Sequence, residues 1–370
     1  MIVTIVAPVV ARIGGMERAM TELAEGLLSR GHRVVIIALH CELTPHPALR
    51  VIRVTGPRRP ASLSLPWFML AADVCRHRFA EGLLHTQGPM LGAKGDVVTA
   101  QFCHHAFRDN AHIPRRRRDT LPYRVNERVD GWINRRTERM AYRPSRTHRL
   151  VTVAHGMAAE LTHYFPDMRD RIDVVPNGVD LDLFRPDPPL REEFRAEHGL
   201  GGDLVALFVG GDWERKGLRF AIEGVAKAPA WSLLVLGDGD RRAYGALAER
   251  SRAANRVRFL GQVRDPERAF ASADAFVLPT AYEAFPLVAL EAAAAGLPLV
   301  VTRGNGTEEL VAEGENGFFV DRDGESVAAR LRQLESAPEL LTKMRASARE
   351  SVSGYTWTNV VDRYIEIYAT

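Results

Sequence analysis

Residues 275–291 read Ala275-Phe276-Val277-Leu278-Pro279-Thr280-Ala281-Tyr282-Glu283-Ala284-Phe285-Pro286-Leu287-Val288-Ala289-Leu290-Glu291, and their order decides the fold class. Ala275–Leu278 is a short apolar run, the pattern of a buried strand. A loop follows, and the helix-like run Val288–Ala295 comes next. Pro286 suits a first helical position, because its missing N–H would have no intrahelical partner there. The N–H groups of Leu287 and Val288 are then free to hold an anion, with the helix dipole in support. Glu283 stands just ahead of that point, Phe285 lies in the same loop, and Glu291 falls near the second helical turn. A phosphorylated sugar would meet a carboxylate for its hydroxyls, amides for phosphate and a second carboxylate for a ribose.

The same strand-then-helix rhythm extends in both directions. Further strand candidates in the second half are Leu204–Val209, Ser232–Leu236, Val257–Leu260, Leu299–Val301 and Phe318–Val320. In the first half they are Ile2–Ala7, Val34–Ala38, Leu49–Val54, Leu83–His85, Val97–Phe102, Arg149–Val153 and Ile172–Val175. Met16–Arg30 has the apolar spacing of an amphipathic helix, with Gly31 placed to end it. Trp67–Phe79 reads as another helix and Thr358–Tyr368 as a terminal one. The alternation predicts an α/β protein of parallel sheets with helices on both faces. The stretch Phe184–Gly202, rich in Pro and Gly, is the expected linker between two domains.

Composition sets wide bounds. The chain has 370 residues, 46% hydrophobic and 26% charged, enough apolar material for two cores. A net charge of +3 does not call for a nucleic-acid partner. The N-terminal apolar run is too short for a signal peptide, and no stretch approaches a membrane span. Cys41, Cys75 and Cys103 form neither a C-x-x-C motif nor an even disulfide framework, so reduced thiols in a cytoplasmic protein are expected.

Four segments carry candidate chemistry. In Phe208-Val209-Gly210-Gly211-Asp212-Trp213-Glu214-Arg215-Lys216-Gly217 a strand ends in a glycine turn, and two cations precede a helix expected near Gly217. Arg215 offers a fork of donors and Lys216 a point charge, a pair suited to a departing diphosphate. Two cations at a helix N-terminus oppose its dipole, which favours a bound anion; the alternative is a solvated basic helix start. Gly14-Gly15 lets a phosphate or sugar approach the backbone, or serves only as a tight turn. It is not G-x-G-x-x-G, which disfavours a dinucleotide dehydrogenase. In Gln101-Phe102-Cys103-His104-His105 a histidine at a strand end can hydrogen-bond a sugar or an acceptor hydroxyl, or pack inward. Phe259-Leu260-Gly261-Gln262-Val263-Arg264 is a fourth strand end, with Val263 and Arg264 the candidate neighbours of a base. No cysteine/histidine quartet has zinc spacing.

Together these segments resemble the retaining GT-B glycosyltransferases of family 4 (glycosyl transferases group 1). Glu283 and Glu291 match the family's E-x7-E motif, Gly14-Gly15 with Glu17 its G-G-x-E loop, and Phe259–Val263 its F-L-G-x-V loop. Arg215 next to Lys216 is similar to the branch of lipopolysaccharide-core glucosyltransferases; many other members carry an arginine where Gly211 stands. Pro176-Asn177-Gly178-Val179-Asp180 matches a junction element, expected to be a turn and hinge. Thr307-Glu308-Glu309-Leu310 and Asn316-Gly317-Phe318 also fit.

The resemblance implies two Rossmann-like domains facing across a cleft: residues 1–180 for the acceptor, 181–354 for the nucleotide-sugar donor, and a terminal helix, 355–370, crossing back to the first. It implies transfer of a hexose from a nucleoside-diphosphate sugar, most simply a UDP-sugar, with retention of configuration. The acceptor is a glycan, a lipid-linked glycan or a small molecule. Arg215 and Lys216 stabilise the diphosphate, Glu283 holds the sugar, Glu291 the ribose, and His104, preferred over His105, positions the reacting sugar. Gly14, Gly15, Val263, Arg264, Phe285, Leu287 and Val288 complete the donor contacts. No metal or cofactor is expected, and Asp238 and Asp240 are read as an ordinary turn rather than a metal-holding D-x-D. An epimerase of the same architecture and a non-catalytic nucleotide-sugar-binding protein are the alternatives.

Residues 101–150 contain thirteen arginines and five acidic residues, with Arg115–Arg118 the densest run. A solvated face, a site for a charged acceptor, and contact with an anionic membrane at the inner leaflet are the readings.

Overall fold

In the computed structural model the described residues are 1–57, 61–90, 94–110 and 121–370. The chain divides into two compact units: one takes residues up to Gly178 together with Trp357–Thr370, the other takes Val179–Thr356.

The first unit contains β1 (Ile2–Val6), β2 (Val9–Val10), β3 (Arg33–Ala38), β4 (His40–Cys41), β5 (Leu49–Arg53), β6 (Leu83–Gln87), β7 (Gly95–Ala100), β8 (Thr147–Thr152) and β9 (Ile172–Val174). Seven of them form one sheet in the order β5-β3-β1-β6-β7-β8-β9, with β2 and β4 paired separately. Every register in the sheet is parallel. The central strands are near-continuous apolar runs because both faces are covered, whereas edge strand β5 is half-buried or exposed along its length. The helix Gly15–Ser29 covers one face, and Gly31, at φ +76°, lets the chain turn out of it.

The terminal helix Trp357–Tyr368 packs on Gly15–Ser29. Gly26 makes this possible: a Cβ there would lie 2.4 Å from a methyl of Val361. Tyr364 and Tyr368 reach the sheet, where the Tyr368 hydroxyl bonds His85 Nδ1 (2.6 Å) and Tyr364 bonds Thr99 Oγ1 (2.8 Å). His85 Nε2 completes the network on Thr99 (2.7 Å).

The second unit holds β10 (Leu204–Val209), β11 (Trp231–Leu236), β12 (Val257–Gly261), β13 (Ala275–Leu278), β14 (Leu299–Val301) and β15 (Gly317–Phe319) in one sheet ordered β12-β11-β10-β13-β14-β15. It too is parallel throughout. All of β11 and β13 is buried. Strand order reverses between β10 and β13, so the loops leaving those two strands diverge at the point where α/β sheets receive ligands.

Three expectations need correction. The linker expected at Phe184–Gly202 contains the helix Pro188–Glu197. Pro188 and Pro189 occupy its first turn, where proline starts a helix rather than breaking it, and Asp187 caps it through Leu190 N–H (3.1 Å). Arg191 and Arg195 on that helix hold the buried Asp274. The first-half helix expected from Trp67 begins at Ala61, with Pro66 tolerated inside it. The strand expected at Val97–Phe102 runs instead over Gly95–Ala100.

Candidate active site

The site in the second unit grows from the loops that leave β10 and β13. After β10 come Gly210 and Gly211, then the single helical turn Trp213–Lys216, capped by Asp212. Gly217, at φ +78°, breaks the helix and starts the next, Leu218–Ala226. A Cβ on Gly217 would sit 2.1 Å from the Pro279 carbonyl, so the close approach of the β10 and β13 loops depends on glycine.

Arg215 and Lys216 therefore occupy the carbonyl end of one short turn and also stand immediately before Gly217, the N-cap of the longer helix Leu218–Ala226. The helix expected near Gly217 is present, and its dipole opposes the two cations, while the dipole of the single turn Trp213–Lys216 favours them. What gathers them is Glu283. Its Oε1 accepts from Arg215 Nη1 (2.8 Å), Lys216 Nζ (3.0 Å) and Thr280 Oγ1 (3.3 Å). Arg215 also donates to the Tyr282 carbonyl (2.5 Å) and, through Nε, to Asp212 (3.2 Å). The Lys216 and Glu283 side chains are each 13% exposed, so neither is loose in solvent. Burial pushes the Glu283 carboxyl up, but Lys216 and Arg215 outweigh burial and hold it below the usual carboxylate range. Burial likewise opposes the Arg215 charge, which Glu283 and Asp212 restore and raise. Glu283 Oε2 has no hydrogen-bond partner among the described residues and is the atom left for a ligand hydroxyl.

The loop after β13 leads to the helix Leu287–Ala294. Pro286 is its cap residue rather than its first helical residue, and no side chain caps the turn. The N–H groups of Leu287 and Val288 meet no acceptor among the described residues. Glu291 is buried one turn further on. Phe285 is buried beside Gly306, whose φ of +75° and contact with the Phe285 backbone exclude any Cβ, and its ring lies 5.9 Å from Tyr355.

The neighbouring strand ends are glycine-built too. Gly237, at φ +98°, follows β11 against the Gly210 carbonyl, and its N–H bonds the Gly261 carbonyl (2.8 Å). Val263 is half-buried and Arg264 exposed just beyond β12. Asp240 caps the helix Arg241–Arg250 by accepting from Ala243 N–H (3.0 Å). Among the described residues no group of three His, Cys, Asp or Glu side chains comes together to hold a metal.

In the first unit, Gly14 and Gly15 are exposed, and Gly14 lies under Glu17: a Cβ on it would be 2.3 Å from that carboxylate. His104 opens the helix His104–Asn110. Its main-chain N–H and Nδ1 both bond Glu138 Oε1, at 2.9 and 2.7 Å. His105 points inward, against Tyr164 and the Arg135 carbonyl. Cys41, Cys75 and Cys103 are all free thiols. The run Arg115–Arg118 lies outside the described residues.

Arg215, Lys216 and Glu283 thus meet within one set of hydrogen bonds, with the Leu287–Val288 amides on the loop that carries Glu283. The sequence reading missed four supports. Thr280 braces Glu283, Asp212 aims Arg215, Thr302 fixes the Thr280 carbonyl (2.7 Å), and Arg322 bonds the Pro279 and Glu214 carbonyls (both 3.2 Å). Only Asp212 carried a signal, as an N-cap residue before a turn. Glu138 was also missed, since nothing local links it to His104.

Two parallel sheets with reversing strand order, one of them presenting cations and bare amides at its switch point, make a doubly wound α/β protein whose switch point suits a phosphorylated ligand. Residues 13–183 match the family Glycosyltransferase Family 4, and residues 191–351 match Glycosyl transferases group 1. The chain belongs to these GT-B glycosyltransferases. It is 26% identical to the uncharacterized glycosyltransferase MJ1607 of Methanocaldococcus jannaschii, over 96% of this chain and 94% of that one. The crystal structure of WaaG, a glycosyltransferase involved in lipopolysaccharide biosynthesis, shares the fold: TM-score 0.82, 22% identity, 99% of each chain. So does Anabaena HepE, solved in complex with UDP-glucose: TM-score 0.77, 16% identity, 100% of this chain and 99% of that one.

Proposed function

We propose that the protein is a retaining hexosyltransferase that uses a nucleoside-diphosphate sugar, a UDP-sugar by analogy with HepE. Residues 181–354 act as the donor domain and 1–180, with the terminal segment 355–370, as the acceptor domain. The observation that carries the reading is the pairing of Arg215 and Lys216 on Glu283 beside the unpartnered Leu287 and Val288 amides.

A diphosphate oxygen takes the amides and the cations, and Glu283 Oε2 takes a hydroxyl of the donor sugar. Glu291 holds the ribose, and Phe285, Val263, Arg264, Gly14 and Gly15 line the donor. His104 hydrogen-bonds the reacting sugar or the acceptor hydroxyl. The bond from the anomeric carbon to the diphosphate breaks, and the acceptor oxygen bonds the same face of that carbon. The acceptor's proton passes to the departing phosphate oxygen. Two cations and two amides suffice to stabilise that leaving group, so the reaction proceeds without a metal.

The acceptor reading includes a lipid-linked glycan reached at an anionic membrane. No described helix is long and apolar enough to cross a bilayer. The helix Ala61–Phe79 turns Leu63, Trp67, Leu70 and Val74 outward, the last 70% exposed. The helix Leu121–Ala141 exposes Val125, Val129, Trp132 (61%) and Met140 among Arg128, Arg136 and Arg139. Aromatic and aliphatic side chains among arginines are the chemistry of an interfacial helix on anionic lipid.

The test is a thermal-protection screen against nucleotide sugars, followed by turnover with the best donor. Arg215→Ala and Lys216→Ala should each lower turnover roughly a hundredfold or more. Unchanged turnover in both variants removes their role, and isomerisation of the donor without acceptor points to an epimerase instead.

A further inference from the structure

We propose that Glu138 is a positioning residue that acts through His104. It locks the ring and its tautomer, so that Nε2 is the nitrogen offered to substrate. The inference rests on the reading of His104 given above.

Glu138 is wholly buried, although its helix, Leu121–Ala141, has an outer face rich in arginine. A buried carboxylate is costly unless its charge and lone pairs are used. Here the use is lopsided. Oε1 accepts both the main-chain N–H and the Nδ1–H of His104, while Oε2, equally buried, has no partner at all. Holding one main-chain N–H would need no charge, and a glutamine in the same place could do it. The second bond is different: it fixes which ring nitrogen carries the proton. With Nδ1–H committed to Glu138, Nε2 is an acceptor in the neutral ring, and the adjacent carboxylate stabilises the ring if Nε2 takes a proton during the reaction. An acidic partner on the far nitrogen is the recurring way to aim a working imidazole.

The surroundings support this assignment. The His104 side chain is 29% exposed, and Nε2 has no bond among the described residues, whereas Nδ1 is turned inward. The ring leans on Phe102, centroid to centroid 4.9 Å, which limits its rotation. The other titratable groups that act on the pair are Asp130 on the His104 side, and Cys103, His105, Arg135 and Tyr142 around Glu138. None of them hydrogen-bonds the Glu138 carboxylate. Burial raises the Cys103 thiol to about 12, so that neighbour stays protonated and uncharged.

Glu138→Gln keeps size and an acceptor while removing charge, and Glu138→Leu removes both. Full-length protein labelled with ¹⁵N-histidine, with the His104 signals assigned by their loss in His104→Ala, reports the protonated nitrogen at pH 8. Nδ1 should carry the proton in the native protein and Nε2 a large share of it in Glu138→Leu. Turnover should fall roughly tenfold to a hundredfold in Glu138→Leu and less in Glu138→Gln, mainly in kcat. In a His104→Ala background, neither change at 138 should lower kcat further. Thermal melting of each variant separates misfolding from mispositioning, and Glu138→Gln carries the comparison if the leucine variant does not fold. Unchanged ring nitrogens, or equal losses with and without His104, would overturn the proposal. Should no donor be turned over at all, the transferase reading fails while the nitrogen signals still decide the Glu138–His104 pair.

Discussion

Replacing Gly210 by alanine should disarm Lys216 without altering its charge. Gly210 leaves β10 at φ +149°, a conformation that side-chain-bearing residues rarely adopt. A Cβ there would lie 2.2 Å from Lys216 Cδ and 2.5 Å from Cε. Those atoms belong to a flexible chain, so the lysine swings aside and gives up its 3.0 Å bond to Glu283. The backbone strain costs roughly 1–3 kcal/mol of stability. Losing one aimed donor to the leaving group costs about 10²–10³ in turnover, or roughly 3–4 kcal/mol of transition-state stabilisation. The damage runs through one side chain, so Gly210→Ala and Lys216→Ala should not add. Initial rates with a saturating donor, measured beside urea unfolding curves, test this. A folded Gly210→Ala variant with native turnover would refute the role given to Lys216, as would a double variant far slower than Lys216→Ala.

Three further outcomes follow from the same contacts. His85 is sealed beneath the terminal helix and burial lowers its pKa to about 3. The unfolded chain takes up a proton near pH 6.5 that the folded chain refuses, so stability is full above that value and is lost as pH falls. Between pH 7 and 5 the loss is about 2 kcal/mol by urea unfolding, and His85→Leu should lack it; an equal slope in that variant contradicts the assignment. Glu283→Gln removes the counter-charge of Arg215 and Lys216 while keeping an acceptor, so calorimetry should show tighter binding of a bare nucleoside diphosphate together with slower transfer; weaker binding would mean that Glu283 serves the phosphate site itself. Trp67→Ser or Trp132→Ser should weaken sedimentation with phosphatidylglycerol vesicles by roughly tenfold, and no change would remove the membrane reading.

The sheets were legible because their strands are apolar runs buried on both faces, and the order of strand, glycine turn and helix identified which end receives a ligand. Motif spacing singled out Arg215, Lys216 and Glu283 as candidates. It did not reveal that the three bond one another, because that contact joins the loops of β10 and β13, more than sixty positions apart in sequence. The helix start near Gly217 was legible, but the single turn Trp213–Lys216 ahead of it was not, because Gly217 ends one helix and begins the next and a glycine's φ cannot be read from its neighbours. Pro188-Pro189 looked like a linker because proline has two opposite uses, and the arginines that anchor this helix reach an aspartate some eighty residues away. Glu138 was hidden among the arginines of its own helix, where only the fold pairs it with His104.

The most direct test of the central claim is a crystal structure with a nucleoside diphosphate bound. Its phosphates should accept hydrogen bonds from the Leu287 and Val288 amides and contact Arg215 and Lys216, with affinity lost in the Arg215→Ala, Lys216→Ala double variant. A diphosphate bound away from those amides, or held equally well without the two cations, would contradict the account.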